Sequence, residues 1–200
     1  IDKGARVYIA DFKGGVDFKS WFRENCCMSY DMDTTLKTLA EWENELDRRK
    51  TLLRDSNCSN IDEYNAMFTE TKLHRWAFAC DEIAMMLDKT GQSKEQKEKI
   101  DKASAVLSLL ACQGRSFGLH LILATQRPDA NVMPAQVRSN IDYRVCGRAD
   151  SILSSIIIDS TAAAELIPKN AKGLFMLNDS SGRDTSATIF KSCILPDGAN

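Results

Sequence analysis

The feature that most constrains this chain is a repeated pattern: a short apolar run closed by an acid or an amide, then a longer stretch of helical periodicity. The runs are Ala5-Arg-Val-Tyr-Ile-Ala-Asp11, Trp76-Ala-Phe-Ala-Cys-Asp-Glu82 and Leu119-His-Leu-Ile-Leu-Ala-Thr-Gln126. Runs this short and this apolar read as buried strands. Gly14-Gly15 after the first run reads as a turn. Residues 33–54 read as a helix, with Leu36, Leu39, Trp42, Leu46 and Leu53 on one stripe. Residues 62–68 and 83–87 read as short helices. Residues 95–113 read as a long one, with Ile100, Ala103, Val106, Leu107 and Leu110 inward. Three more strands are expected at 141–146, 173–177 and 187–195. Strands alternating with helices imply an α/β fold, a mostly parallel sheet with helices on both faces. Such sheets bind ligands beyond the carboxyl ends of their strands. Asp11, Asp81, Glu82, Thr125 and Gln126 all fall at predicted carboxyl ends. No linker or shift in composition divides the chain, so residues 1–200 read as one domain.

Composition narrows the function classes. With 44% hydrophobic and 27% charged residues the profile is that of a soluble globular domain. No apolar run approaches the roughly 18–20 residues that span a bilayer, and Ile-Asp-Lys-Gly at the start has no signal-peptide pattern. A cytoplasmic location is the expectation. The net charge of −2 argues against a broad electrostatic grip on nucleic acid; a ring with a few basic loops facing inward remains compatible with it. Seven cysteines without a Cys-x-x-Cys, and only two histidines, offer no zinc set. They read as reduced thiols, with Cys80 and Cys112 expected in the core.

Two groups of residues carry chemistry. Asp81-Glu82 places two carboxylates at the tip of a buried strand, the form of a Walker B element. Rigid support there keeps both acids fixed while charge develops on a phosphoryl group. The first acid suits a magnesium ion held through water; the second suits orientation and polarisation of an attacking water. Gln126, at the tip of the strand beginning at Leu119, is placed to sense a terminal phosphate. Arg115 precedes that strand at its far end, so it is not expected to share the Gln126 site in its own subunit, but it could reach a neighbour's nucleotide.

The string Gly114-Arg-Ser-Phe-Gly-Leu-His-Leu-Ile-Leu-Ala-Thr-Gln-Arg-Pro128 closely resembles the FtsK/SpoIIIE family of ring motors. Asp11-Phe-Lys13 resembles that family's Asp-Pro-Lys, and the segment from Trp76 to Glu82 resembles its Walker B strand. Val137-Arg-Ser-Asn140 with Ile141-Asp-Tyr-Arg144, then Asp150-Ser151 and Gly173-Leu-Phe-Met176, follow in the family's order. The resemblance implies a RecA-like P-loop NTPase core that works with ATP and Mg2+. It implies that Asp81 is the magnesium-associated acid, Glu82 the catalytic glutamate, Gln126 the γ-phosphate sensor and Arg115 an arginine finger acting in trans. Arg144 is a weaker candidate for a subunit interface, and Asp11 and Lys13 support the site rather than react. The implied assembly is a hexameric ring that moves double-stranded DNA in chromosome segregation or conjugative transfer, often tethered to a membrane by regions outside this chain. Alternatives with the same core are a type VII secretion-type protein-export ATPase and a degenerate, non-hydrolytic ring module.

The chain departs from the family in two respects. Phe12 stands where the family has proline. No Gly-x-x-x-x-Gly-Lys-Ser/Thr occurs in the 200 residues, and in the family that unit precedes the strand ending at Asp11. The Walker A unit is therefore expected upstream of Ile1, and these residues alone are expected neither to hold ATP tightly nor to hydrolyse it. The polar stretches 89–98 and 129–134 are candidate pore loops.

Overall fold

A computed structural model describes residues 4–126, 133–179 and 187–193. They fall into two compact units, residues 4–126 with 133–137, and residues 138–179 with 187–193.

The first unit is built on four parallel strands in the order β2-β1-β3-β4, where β1 is Arg6–Ala10, β2 Cys27–Ser29, β3 Trp76–Cys80 and β4 Leu119–Leu123. The register pairs Ala10 with Cys80 and Cys80 with Leu123. All three sequence-predicted strands of this unit therefore end level with one another. β2, a three-residue strand around Met28, is too short for a periodicity to reveal.

Two long helices, α2 (Met32–Asp55) and α5 (Lys94–Gln113), pack against each other. α2 buries Met32, Thr35, Leu39, Trp42, Leu46, Arg49 and Leu53, alternating steps of three and four residues. α5 buries Ile100, Ala103, Leu107 and Leu110 in the same rhythm. This is the spacing that turns one narrow seam toward a partner helix. Trp42, fully buried, meets the rings of Tyr8, Trp76 and Phe78 edge-on at 5.5, 5.7 and 5.9 Å. That aromatic cluster locks α2 onto β1 and β3. Side-chain alternation sends Ile122 to the opposite face from Leu121. Ile122 is 58% exposed there, on a strand that ends the sheet.

The shorter helices of this unit are α1 (Ser20–Asn25), α3 (Ile61–Met67) and α4 (Ile83–Leu87), and α6 is Ala135–Ser139. α1 buries no residue and carries Trp21 and Phe22, both partly exposed. Side-chain oxygens of Asp31, Asn60 and Ser93 accept from the backbone N–H groups of Thr34, Glu63 and Gln96, capping α2, α3 and α5.

In the second unit β5 (Tyr143–Cys146), β6 (Leu174–Asp179) and β7 (Thr188–Lys191) form an antiparallel sheet in that order. The strand predicted at 187–195 is found as β7; its last two residues lie outside the described residues. α7 (Ser151–Ile158) and α8 (Ala162–Leu166) cover one face, burying Ile158 and Ala163 with Cys146, Ile167 and Met176. Arg144 donates to the carbonyls of Ile141 and Arg138 and pairs with Asp159 at 2.7 Å. Arg148 donates to the carbonyls of Ala164 and Ile167, at the end of α8 where the helix leaves acceptors open. The Arg144 guanidinium is thus engaged inside its own unit.

All described cysteines are free thiols. Cys80 is buried, and burial pushes its thiol pKa up to about 12. Cys112, expected inside, is exposed on α5. It lies off the 100-103-107-110 stripe, and the helix turns it to solvent. Among the described residues no helix is long and apolar enough to cross a membrane.

Candidate functional site

The level ends of β1, β3 and β4 bring the predicted acids together. Asp81 N–H bonds to the Ala10 carbonyl, so Asp11 and Asp81 leave adjacent strands side by side. Beyond Cys80 the β3–β4 ladder continues: Ala124 N–H donates to the Cys80 carbonyl and Ile83 N–H to the Ala124 carbonyl, each at 2.9 Å. These rungs bracket Asp81 and Glu82, so both acids are presented from backbone fixed on either side.

Each acid has a different partner. Asp11 is fully buried; one oxygen accepts from Lys13 N–H at 2.9 Å and the other, Oδ2, is buried with no hydrogen bond. Asp81 Oδ2 lies 2.5 Å from the Lys13 ammonium, which also reaches Asp17 at 3.4 Å. The hydrogen bond that Lys13 donates to the Asp81 carboxylate holds the Lys13 pKa above the usual lysine range. Glu82 is 7% exposed. Its Oε1 accepts from Thr125 Oγ1 at 2.5 Å and its Oε2 from Gln126 N–H at 3.0 Å.

Chemically these are two kinds of carboxylate. Asp81 is partly open and already paired with the positive charge of Lys13. An ammonium sits where Asp81 could hold a cation. Glu82 is shielded, and among the described residues its two oxygens are held by neutral donors. That suits a group that orients and polarises water. A phosphate cradle is a different matter: the described residues show no glycine-rich loop at a helix N-terminus beside these acids.

The structure brings together Asp81, Glu82 and the Gln126 backbone. It adds Lys13 and Thr125, whose partners the sequence does not disclose. The signal available was position alone, since Lys13 follows the acid that closes the first run and Thr125 precedes the amide that closes the third. Arg115 is not part of the cluster. It stands in a short 3₁₀ turn, Gly114–Phe117, at the opposite end of β4, separated from Gln126 by the whole strand, on the order of 16 Å of extended chain. Gly114 makes this turn possible, since a Cβ there would come within 2.6 Å of the Leu119 carbonyl oxygen. The turn is anchored from beneath by Arg49 of α2, which donates to the Phe117 and His74 carbonyls at 2.6 and 2.7 Å. Arg127 and Pro128 of the motif and residues 129–132 of one candidate pore loop lie outside the described residues. The other candidate, 89–98, is a turn leading into the first residues of α5.

Comparison with known proteins fits this geometry. No family model matches the chain. The DNA translocase FtsK of Clostridium acetobutylicum is 30% identical over 131 residues, 63% of this chain and 16% of the relative. The DNA translocase FtsK of Helicobacter pylori strain 26695 is 29% identical over 146 residues, 67% of this chain and 16% of the relative. The chain therefore spans only about a sixth of the length of these curated relatives. Among solved structures, the pCW3 conjugation coupling protein TcpA, in a monomer form with ATPγS, is 35% identical with a TM-score of 0.87. That match covers 94% of this chain and 52% of TcpA. The cytoplasmic domain of the Thermomonospora curvata type VII secretion ATPase EccC shares the fold at 20% identity, with a TM-score of 0.71 over 98% of this chain and 22% of EccC. With its parallel four-stranded α/β sheet and its partial homology to the translocase FtsK and the coupling protein TcpA, the chain belongs to the FtsK/SpoIIIE family of P-loop ATPases.

Proposed function

We propose that this chain is the C-terminal part of a single ATP-hydrolysing motor domain that drives double-stranded DNA through a hexameric ring. The observation that carries the reading is the pairing of a cation-bearing Asp81 with a shielded, neutrally held Glu82 at level strand tips. The 35% identity to a conjugation coupling protein over almost the whole chain favours conjugative transfer as the setting.

Asp81 would hold a magnesium ion through water, where the ion supplies neutralisation of phosphate charge. Lys13 would then keep Asp17 as its acid partner. Glu82 orients water with its free lone pairs while Thr125 and Gln126 N–H hold its two oxygens in place. The Gln126 side chain, exposed at the strand tip, reads the terminal phosphate. Arg115 faces away from its own site and completes the site of the next subunit in the ring. The phosphate cradle is supplied by another segment, since these 200 residues contain no Walker A sequence. The open edge of β4, with Ile122 exposed, offers a place for a further strand to pair.

The test is ATP turnover by the complete protein with and without duplex DNA. We expect stimulation by duplex DNA, and a loss of about 10²–10⁴-fold on Glu82→Gln. Turnover indifferent to DNA but raised by an exported polypeptide would move the assignment to secretion. Turnover unaffected by Glu82→Gln would remove it altogether.

A further inference from the structure

Among the described residues the Glu82 carboxylate is held at two points, and both come from the tip of β4. We infer that Thr125 is a positioning residue for Glu82, and that the pair Thr125–Gln126 ties the orientation of the catalytic acid to the strand that carries the phosphate sensor. The inference rests on the reading of Glu82 as the residue that orients water.

The geometry leaves Glu82 few other options. Lys13, the charged donor of the cluster, is committed to Asp81 and Asp17. Glu82 is 7% exposed, so solvent cannot replace a lost donor freely. A carboxylate this shielded is oriented by its protein hydrogen bonds rather than by water. Thr125 supplies one at 2.5 Å from a β-branched side chain, whose χ1 is stiff. Gln126 supplies the other at 3.0 Å from its backbone, which cannot be removed by changing the side chain. The rungs from Ala124 to Cys80 and from Ile83 to Ala124 fix both strand tips relative to each other. Any shift of Gln126 on meeting a phosphate is therefore transmitted directly to Glu82 Oε2, and Thr125 sets how far the carboxylate can follow.

The test uses Thr125→Val, which keeps the shape and removes the donor, and Thr125→Ser, which keeps the donor. In the complete protein we expect Thr125→Val to lower kcat by about 10- to 100-fold, the scale of one hydrogen bond to a charged group. ATPγS affinity should stay within about twofold, because the role inferred for Thr125 is exerted through Glu82. Thr125→Ser should recover most of the rate. In a Glu82→Gln background Thr125→Val should cost nothing further, the non-additivity of residues acting through one group. Without nucleotide, hydrogen exchange at the Gln126 amide should quicken in Thr125→Val and not in Thr125→Ser. Wild-type turnover in Thr125→Val, equal loss in both variants, or a further loss in the Glu82→Gln background would each overturn the inference. Turnover that survives Glu82→Gln would instead strike the reading on which it rests. The amide exchange still reports on the Thr125–Glu82–Gln126 linkage in that case, and unchanged exchange in Thr125→Val would overturn the linkage itself.

Discussion

At the residue scale, partners rather than position separate the roles of the acids. Asp11, Asp81 and Glu82 all end up at the carboxyl edge of one sheet, yet one is buried with a bare oxygen, one is ion-paired and one is held by neutral donors. The presence of acids at strand tips was legible in the sequence, because apolar runs that stop at Asp or Glu are conspicuous. The Thr125–Glu82 and Lys13–Asp81 bonds were not. They depend on the register between strands that lie far apart in the chain, and register is not written in either strand alone. His120, on β4, shows a second effect of the same packing. Burial lowers its pKa, helped by the charges of Arg75, Arg115 and Arg49 and opposed by Asp62, and its Nε2 is buried with no hydrogen bond. Protonation is thus harder in the folded protein than in the unfolded chain, whose histidine titrates near about 6.5. Below that pH the unfolded state binds the extra proton, so stability falls as pH drops through this window toward the folded value. Urea midpoints measured between about pH 7 and 5 should fall less steeply in His120→Gln than in the wild type; parallel curves would contradict the assignment.

At the scale of elements, the α2 stripe was readable and its exception was not. Leu39, Trp42, Leu46 and Leu53 are buried as the periodicity requires, while Leu36 sits at the margin. Arg49 occupies a seam position and is 1% exposed. Burial pulls its pKa down from the ordinary guanidinium value, against the hydrogen bond and charge of Glu45. It bonds to Glu45 at 2.6 Å and to two backbone carbonyls, and lies 5.4 Å from the Trp76 ring centroid. Gly118, in the left-handed region with φ 72°, leaves room for it: a Cβ there would lie 3.2 Å from Arg49 Nη1 and 2.4 Å from the Ile61 side chain. A charged residue on an apolar stripe looks like a solvated one until its acceptors are known, and these come from residues 74 and 117. Replacing Arg49 by Met should destabilise the protein by about 3 kcal/mol. That is the low end for breaking a buried pair, because Glu45 retains Arg48. Chemical denaturation would show it as a lowered midpoint, and an unchanged midpoint would mean that Arg49 is not the anchor of the Arg115 turn. The second sheet was legible as strands but not as a sheet. Its antiparallel order follows from pairing choices that strand–helix alternation does not encode.

At the scale of the whole molecule, the chain accounts for 52% of TcpA and 16% of the FtsK relatives. On the proposed reading, what it contributes to a motor is the acid end of the site and an arginine for a neighbour. The separation of Arg115 from Glu82 along β4 is the physical ground for the trans arrangement. An arginine at the amino end of a parallel strand cannot serve a site at its carboxyl end without unfolding the strand. The most direct measurement mixes two inactive versions of the complete protein, Glu82→Gln and Arg115→Ala, and follows ATP turnover as their ratio is varied. The account predicts that each alone is nearly inactive and that mixtures regain activity. An Arg115→Ala subunit keeps its own Glu82 and can borrow the arginine of a Glu82→Gln neighbour. Full turnover by Arg115→Ala alone, or no recovery at any ratio, would contradict it.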